Sequence, residues 1–209
     1  ARVHIERPAI EQLQWGLDPE SRRLAGLAYS SPREAVAAAL LAARMLRDDG
    51  FVGRAVAILE AAMPIARQLG GGAEVAEALV EALIDRPNEL PAALHHAERE
   101  QAVAALAVGG AVRIQNDGQW AASAEALQLA IHTHTLKEPL RFTAFAAVGY
   151  AMRMSRDTEY EAWLQEPDVP FGVSSLGHGL RAYARGDYGA SFEHHMQAAN
   201  EGPWGFRVA

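Results

Sequence analysis

Apolar residues recur three and four positions apart along most of the chain, the spacing of one helical face, and alternation of strand type is not sustained anywhere. The pattern predicts helices in pairs. A first helix runs to about Arg47 and its partner returns through Ala55 to Leu69. Glu74 to Ile84 is followed by a return beginning at Leu90, and Ala102 to Ile114 by Ala121 to His132. Leu140 to Met154 is followed by a short Glu159 to Leu164, and Val173 to Ala184 by Tyr188 to Ala199. Three pairs share a phrase. Gly50 leads into Val52, Ala55, Leu59 and Ala62; Gly118 into Trp120, Ser123, Leu127 and Ala130; Gly186 into Tyr188, Ser191, His195 and Ala198. The glycines stand 68 residues apart both times. Each can adopt the positive φ of a tight helix–helix turn, and the residues after it fall on one face.

Start and stop signals agree with this division. Ser31, Pro32 and Glu34 form the pattern of a capped start, and Asp187 can accept from free N–H groups at its helix start. Gly70-Gly71-Gly72 reads as a helix stop, and Pro64 predicts a kink in the helix that contains it. The second and fourth units are degenerate: the period places a phrase glycine at Ile84, and the fourth turn is Ser155-Arg156-Asp157. Residues 1–31 read as atypical leading helices or a linker, with helical signals at Ile10–Leu17 and Leu24–Leu27. Residues 32–209 read as one repeat domain of about five units, with a stop at Pro203 and the opening of a further helix at 205–209. Ala1 in place of an initiator Met, and that unfinished opening, suggest a chain that is processed or cut from something longer.

Sixty-eight is twice 34, and the phrases resemble the tetratricopeptide repeat across about residues 32–203. Small residues stand where paired helices must approach: Ala43 and Ala55, Ala111 and Ser123, Gly179 and Ser191. The large residue at the start of each first helix is mostly missing, and two turns lack glycine. This resemblance implies an all-α, right-handed α-α superhelix of about ten to twelve helices. Loose, long repeats of this kind, with fragments such as Leu180-Arg181-Ala182-Tyr183-Ala184-Arg185-Gly186-Asp187-Tyr188 and the ending 202–209, are also similar in style to the repeat region of large LuxR/MalT-type bacterial regulators. That likeness implies a segment whose ATPase and DNA-binding modules lie elsewhere. No phosphate-binding loop occurs in the chain.

Composition narrows the chemistry. Half the residues are apolar and 22% are charged, as in a globular chain. The net charge of −7 disfavours nucleic acid as a direct partner. The absence of cysteine excludes disulfides, thiol catalysis and thiolate metal sites, and suits a cytoplasmic protein. No apolar run is long enough to span a bilayer or to serve as a signal peptide.

Eight histidines raise a metal hypothesis, but neighbours in His95-His96 and His194-His195 point about 100° apart, and no carboxylate completes a helical site. His195 reads as packed within its hairpin, and His132-Thr133-His134 as a helix end whose imidazoles meet free carbonyls. Ser174-Ser175 near His178 lacks a nucleophile elbow, and Trp15, Trp120, Trp163 and Trp204 read as packing residues. No metal, cofactor or catalytic residue is assigned. In tetratricopeptide folds the first helices line a concave groove. By helical phase Arg44, Arg47, Arg113, Gln115, Asn116, Arg181 and Tyr183 face outward there, the arginines able to clamp a partner carboxylate or phosphate. The expected function is a non-catalytic protein-interaction or ligand-sensing segment of a bacterial LuxR/MalT-like transcriptional regulator. A protein, a peptide or a small inducer would occupy the groove, and self-association is open. A stand-alone scaffold and an enzyme built on an α-solenoid are the alternatives.

Overall fold

The computed structural model describes residues 31–138 and 140–201. The leading helices, Trp15, Trp204, Pro203 and the opening at 205–209 lie outside the described residues. Among the described residues the fold is all-α: α1 (Pro32–Asp48), α2 (Val52–Gln68), α3 (Gly72–Leu83), α4 (Leu90–Arg99), α5 (Val103–Asn116), α6 (Trp120–Thr133), α7 (Leu140–Ser155), α8 (Tyr160–Trp163), α9 (Phe171–Ala184) and α10 (Tyr188–Glu201). The chain divides into two compact units, residues 1–106 and 107–209. In the first, α2 packs on α1, α3 on both, and α4 on α3. In the second, α7 packs on α6, α8 and α9 on α7, and α10 on α9. Helices packing on their neighbours in chain order are the arrangement of a helical-repeat, solenoid-type fold.

The seam of each glycine-marked hairpin is built from small residues. Ala43 and Ala55, Ala111 and Ser123, and Gly179 and Ser191 are all buried. Close approach makes one cross-hairpin bond possible, in which the Ser123 hydroxyl donates to the Ala111 carbonyl at 2.9 Å. The next seam position holds Leu59, Leu127 and His195. The two leucines are fully buried. His195 is half-buried, and its Nδ1 lies 2.7 Å from the Ser191 carbonyl oxygen, inside the hairpin as its spacing predicts. The larger ring explains Gly179, where the other hairpins carry alanine. A Cβ at Gly179 would meet His195 Nδ1 at 2.8 Å.

The turns repeat one hydrogen-bond pattern. Gly50, Gly118 and Gly186 have φ of +84°, +79° and +79°. Gly50 N–H donates to Arg47 and Phe51 N–H to Leu46; Gly118 to Gln115 and Gln119 to Ile114; Gly186 to Tyr183 and Asp187 to Ala182. These paired bonds satisfy carbonyls that a helix end leaves free. The fourth unit makes the same cap without glycine: Arg156, at φ +57°, donates to Arg153, and Asp157 to Met152. Gln101, at φ +54°, does likewise at the end of α4.

Three local expectations are revised. The first helices begin at residues 32, 72, 103, 140 and 171, so unit lengths alternate between long and short, 40, 31, 37 and 31 residues, with a mean close to 35. Ser31 makes no side-chain cap; its backbone carbonyl accepts from Ala35 instead. Gly70 ends α2 at φ +76°, whereas Gly72 opens α3, where a Cβ would overlap the Glu100 carboxylate. Helix α2 continues through Pro64 to Gln68. Asp187 caps as expected, its Oδ1 accepting from Ala190 N–H at 3.1 Å.

The left-handed caps give one stability test. Arg156→Gly removes a Cβ from an unfavourable backbone region and should stabilise by about 1 kcal/mol, while Gly118→Ala should destabilise by a similar amount, read as opposite shifts in thermal midpoint. The seam gives another. Gly179→Ala alone should cost about 1–3 kcal/mol by overpacking, and Gly179→Ala with His195→Leu, which recreates the alanine–leucine pairing of the other hairpins, should recover most of the loss in a double-mutant cycle.

Candidate functional site

The outward residues expected of a groove separate once side chains are in place. Arg44, Arg113 and Asn116 are exposed on the last turns of α1 and α5. Tyr183 is exposed on α9, edge-on to Tyr188 with ring centroids 5.6 Å apart. Gln115 corrects the helical phase: its side chain is buried, with its amide oxygen 3.4 Å from the Ser123 hydroxyl.

Arg47 and Arg181 are committed within the fold. Arg181 pairs with Glu161 beside α8, and its Nη2 is 3.3 Å from His178 Nδ1. Arg47 pairs with Glu81, 34 residues on, at the equivalent place on α3. Glu81 is almost wholly buried, and burial pushes its carboxyl up to about 7 against the opposing pull of Arg47 and Arg44. A second inter-helix pair joins Arg67 Nε and Glu100 Oε1 at 2.5 Å. These pairs tie α1 to α3, and α2 to the end of α4, within the first unit.

An open pocket of about 570 Å³, with a mixed polar and apolar lining, lies in the second unit. The loop from Leu164 to Pro170 forms one wall, α9 contributes Ser174, Ser175 and His178, and α10 contributes His194 and Gln197. Arg141 of α7 pins the loop by donating to the Asp168 carbonyl at 3.0 Å, its guanidinium lying over the Phe145 ring. Behind the loop, Phe145, Trp163 and Tyr160 stack in sequence, with centroids 6.4 and 6.3 Å apart. Trp163 is thus a packing residue that holds the pocket wall, and a Cβ at Gly177 would overlap Leu164 and the Tyr160 hydroxyl. Small residues on α9 therefore let the loop seat against the helix.

Two lining side chains, Gln165 and His194, stand beside His178. Gln165 Nε2 is 3.2 Å from His178 Nε2, and the His178 and His194 rings lie 5.6 Å apart. Burial, then the neighbouring His194, lowers the His178 pKa and favours the neutral imidazole. The Ser174 hydroxyl donates to the Phe171 carbonyl at 3.0 Å rather than to an imidazole. This arrangement presents hydrogen-bonding groups to a bound molecule, and it pairs no hydroxyl with a base. Among the described residues no three of His, Cys, Asp and Glu group as metal ligands, and no helix is long and apolar enough to cross a membrane. His132 Nδ1 lies 2.7 Å from the Gln128 carbonyl oxygen, one turn back along α6. No sequence motif marked this pocket; the only signals were Ser174-Ser175 and His178, read as a coincidence of spacing.

No family model, curated protein or solved structure matches the chain. The fold itself defines the class: a helical-repeat protein of packed antiparallel helices.

The Arg47–Glu81 pair yields a pH test. Glu81 has a folded pKa raised from 4.5 to about 7, so the folded state holds the extra proton and stability from this group falls as pH rises from about 4.5 to 7. Glu81→Gln should flatten that slope in thermal melts. Arg47→Ala removes the attraction that lowers the pKa, so its destabilisation should grow between pH 7 and 9, and an equal loss at both ends of that range would show that the pair is not electrostatically coupled.

Proposed function

We propose that this chain is a non-catalytic, tetratricopeptide-like sensing or interaction module of a larger LuxR/MalT-type bacterial regulator, acting in the cytoplasm. A small polar inducer would occupy the pocket of the second unit. The carrying observation is an open cavity lined by Gln165, His178, Ser174 and Gln197, with the Gln165 amide 3.2 Å from the His178 ring. Such a site can recognise donors and acceptors on a bound molecule without needing a nucleophile or a base. The mixed lining, with Arg141, Glu166 and Asp168 at the loop, suits a polar ligand carrying both donors and acceptors. The three phrases and their repeated caps support the repeat-module part of the reading.

A scaffold function is the second reading, favoured by the exposed arginines Arg44 and Arg113 and by Tyr183. The two predict different behaviour. A screened inducer should raise the thermal midpoint, by about 2.7 kcal/mol of stabilisation at a hundredfold excess over Kd. Gln165→Ala with His178→Ala should abolish that shift while leaving helicity unchanged. A protein retained in place of a small molecule, with the double variant binding it normally, would favour the scaffold. The size of the native gene product tests the regulator assignment. Blotting cell extract with an antibody to this segment should give a band far above 22.5 kDa, and a band at that mass would reject it.

A further inference from the structure

An arginine side chain can only donate hydrogen bonds, and that constraint propagates into the pocket of the second unit. Arg181 Nη2 lies 3.3 Å from His178 Nδ1, so Nδ1 accepts and the proton of the neutral ring sits on Nε2. Burial, then the neighbouring His194, favours that neutral ring. The Gln165 amide stands 3.2 Å from His178 Nε2. The two ends of an amide have the same shape, and the hydrogen bond decides between them. An N–H at Nε2 calls for an acceptor, so the amide oxygen belongs at this contact. The Gln165 NH2 is then left for a bound molecule.

Burial orients the second imidazole. His194 lines the pocket, and its Nδ1 is buried without a hydrogen-bond partner among the described residues. A buried N–H with no acceptor is the rarer and costlier orphan, so the neutral ring carries its proton on Nε2, where water or a ligand can accept it. Both groups left to the cavity are therefore donors. Among the described residues the wall formed by α9 and α10 adds no carboxylate to the lining. Glu166 and Asp168 belong to the loop and are exposed, where water screens them, and Glu161 is taken by Arg181. Leu164, Pro167, Val169 and Phe171 give the loop side an apolar surface.

Given that the pocket is a ligand site, as proposed above, we infer that it binds a small organic carboxylate whose oxygens accept from the Gln165 NH2 and the His194 Nε2–H. An ionised carboxylate only accepts, and hydrogen bonds to it are stronger than those to a neutral carbonyl. Its apolar body lies toward the loop. Arg181 is a positioning residue: it acts through His178 and sets which end of the Gln165 amide meets the ligand.

Benzoate, benzamide and benzylamine test it, because they share a ring and differ in whether the polar group accepts, does both, or only donates. Titration of the whole chain followed by nuclear magnetic resonance should give benzoate a Kd about tenfold below that of benzamide, with benzylamine not bound. Gln165→Glu keeps an acceptor for His178 Nε2–H but replaces the NH2 by a second acceptor, so benzoate should be lost and benzylamine gained. Arg181→Met frees His178 to take the other tautomer and should narrow the difference between benzoate and benzamide. If Arg181→Met loses helicity, Gln165→Glu decides alone, at an exposed loop position. Benzoate bound no more tightly than benzamide, or a Gln165→Glu variant that still prefers benzoate, would overturn the inference. A neutral or cationic ligand whose binding is lost in Gln165→Ala with His178→Ala would also overturn it, yet leave the pocket a ligand site. Failure of every probe and every screened molecule to bind would overturn both.

Discussion

Close approach between paired helices is the constraint on which this structure depends. Where Ala111 meets Ser123, the backbones come near enough for the Ser123 hydroxyl to reach the Ala111 carbonyl, and the buried Ala43 and Ala55 stand at the same offsets in the first hairpin. That proximity fixes the length of the connecting turn, and the short turn demands a left-handed residue to redirect the chain and bond the free carbonyls. Once the hairpins are thin, each exposes a face of larger residues that only a neighbouring helix can cover. Seam, turn and stacking are therefore one requirement expressed at three scales.

The seam tolerates substitution only when its volume is conserved. His195 replaces the leucine of the other hairpins, and Gly179 replaces their alanine, so the added ring occupies space that a missing Cβ vacates. Its Nδ1 finds the Ser191 carbonyl, which satisfies a polar atom that a leucine would not bring. A buried carboxylate is handled differently. Glu81 lies 34 residues from its partner Arg47, so the ion pair follows the repeat itself, and it links α1 to α3 rather than the two helices of one hairpin.

Helix positions, turns and seam could be read from the chain because each is a local pattern: a 3.6-residue period, a glycine and a small residue at fixed offsets. The degenerate turns were harder, since Arg156 and Gln101 adopt the left-handed conformation without the residue that signals it. The equal glycine spacing concealed the unequal units, because one long and one short unit recur between successive glycines. Among the candidate groove residues, phase alone could not show that Gln115 turns toward Ser123, or that Arg47 and Arg181 have carboxylate partners. The pocket was out of reach for a different reason. It is made by a loop seated across α9 and α10, and its residues share no spacing that sequence inspection could detect.

The alternation of long and short units has a consequence for modularity. The span that repeats in register, glycine to glycine, is a two-hairpin block, and a single hairpin is not interchangeable with the next. Removing residues 51–118 would join the turn at Gly50 directly to the helix that normally follows Gly118, bringing together only kinds of surface already paired elsewhere in the chain. Excising a single hairpin would instead place long beside long or short beside short. The chain can thus be shortened or extended in whole blocks, which makes the block, rather than the hairpin, its natural increment of growth.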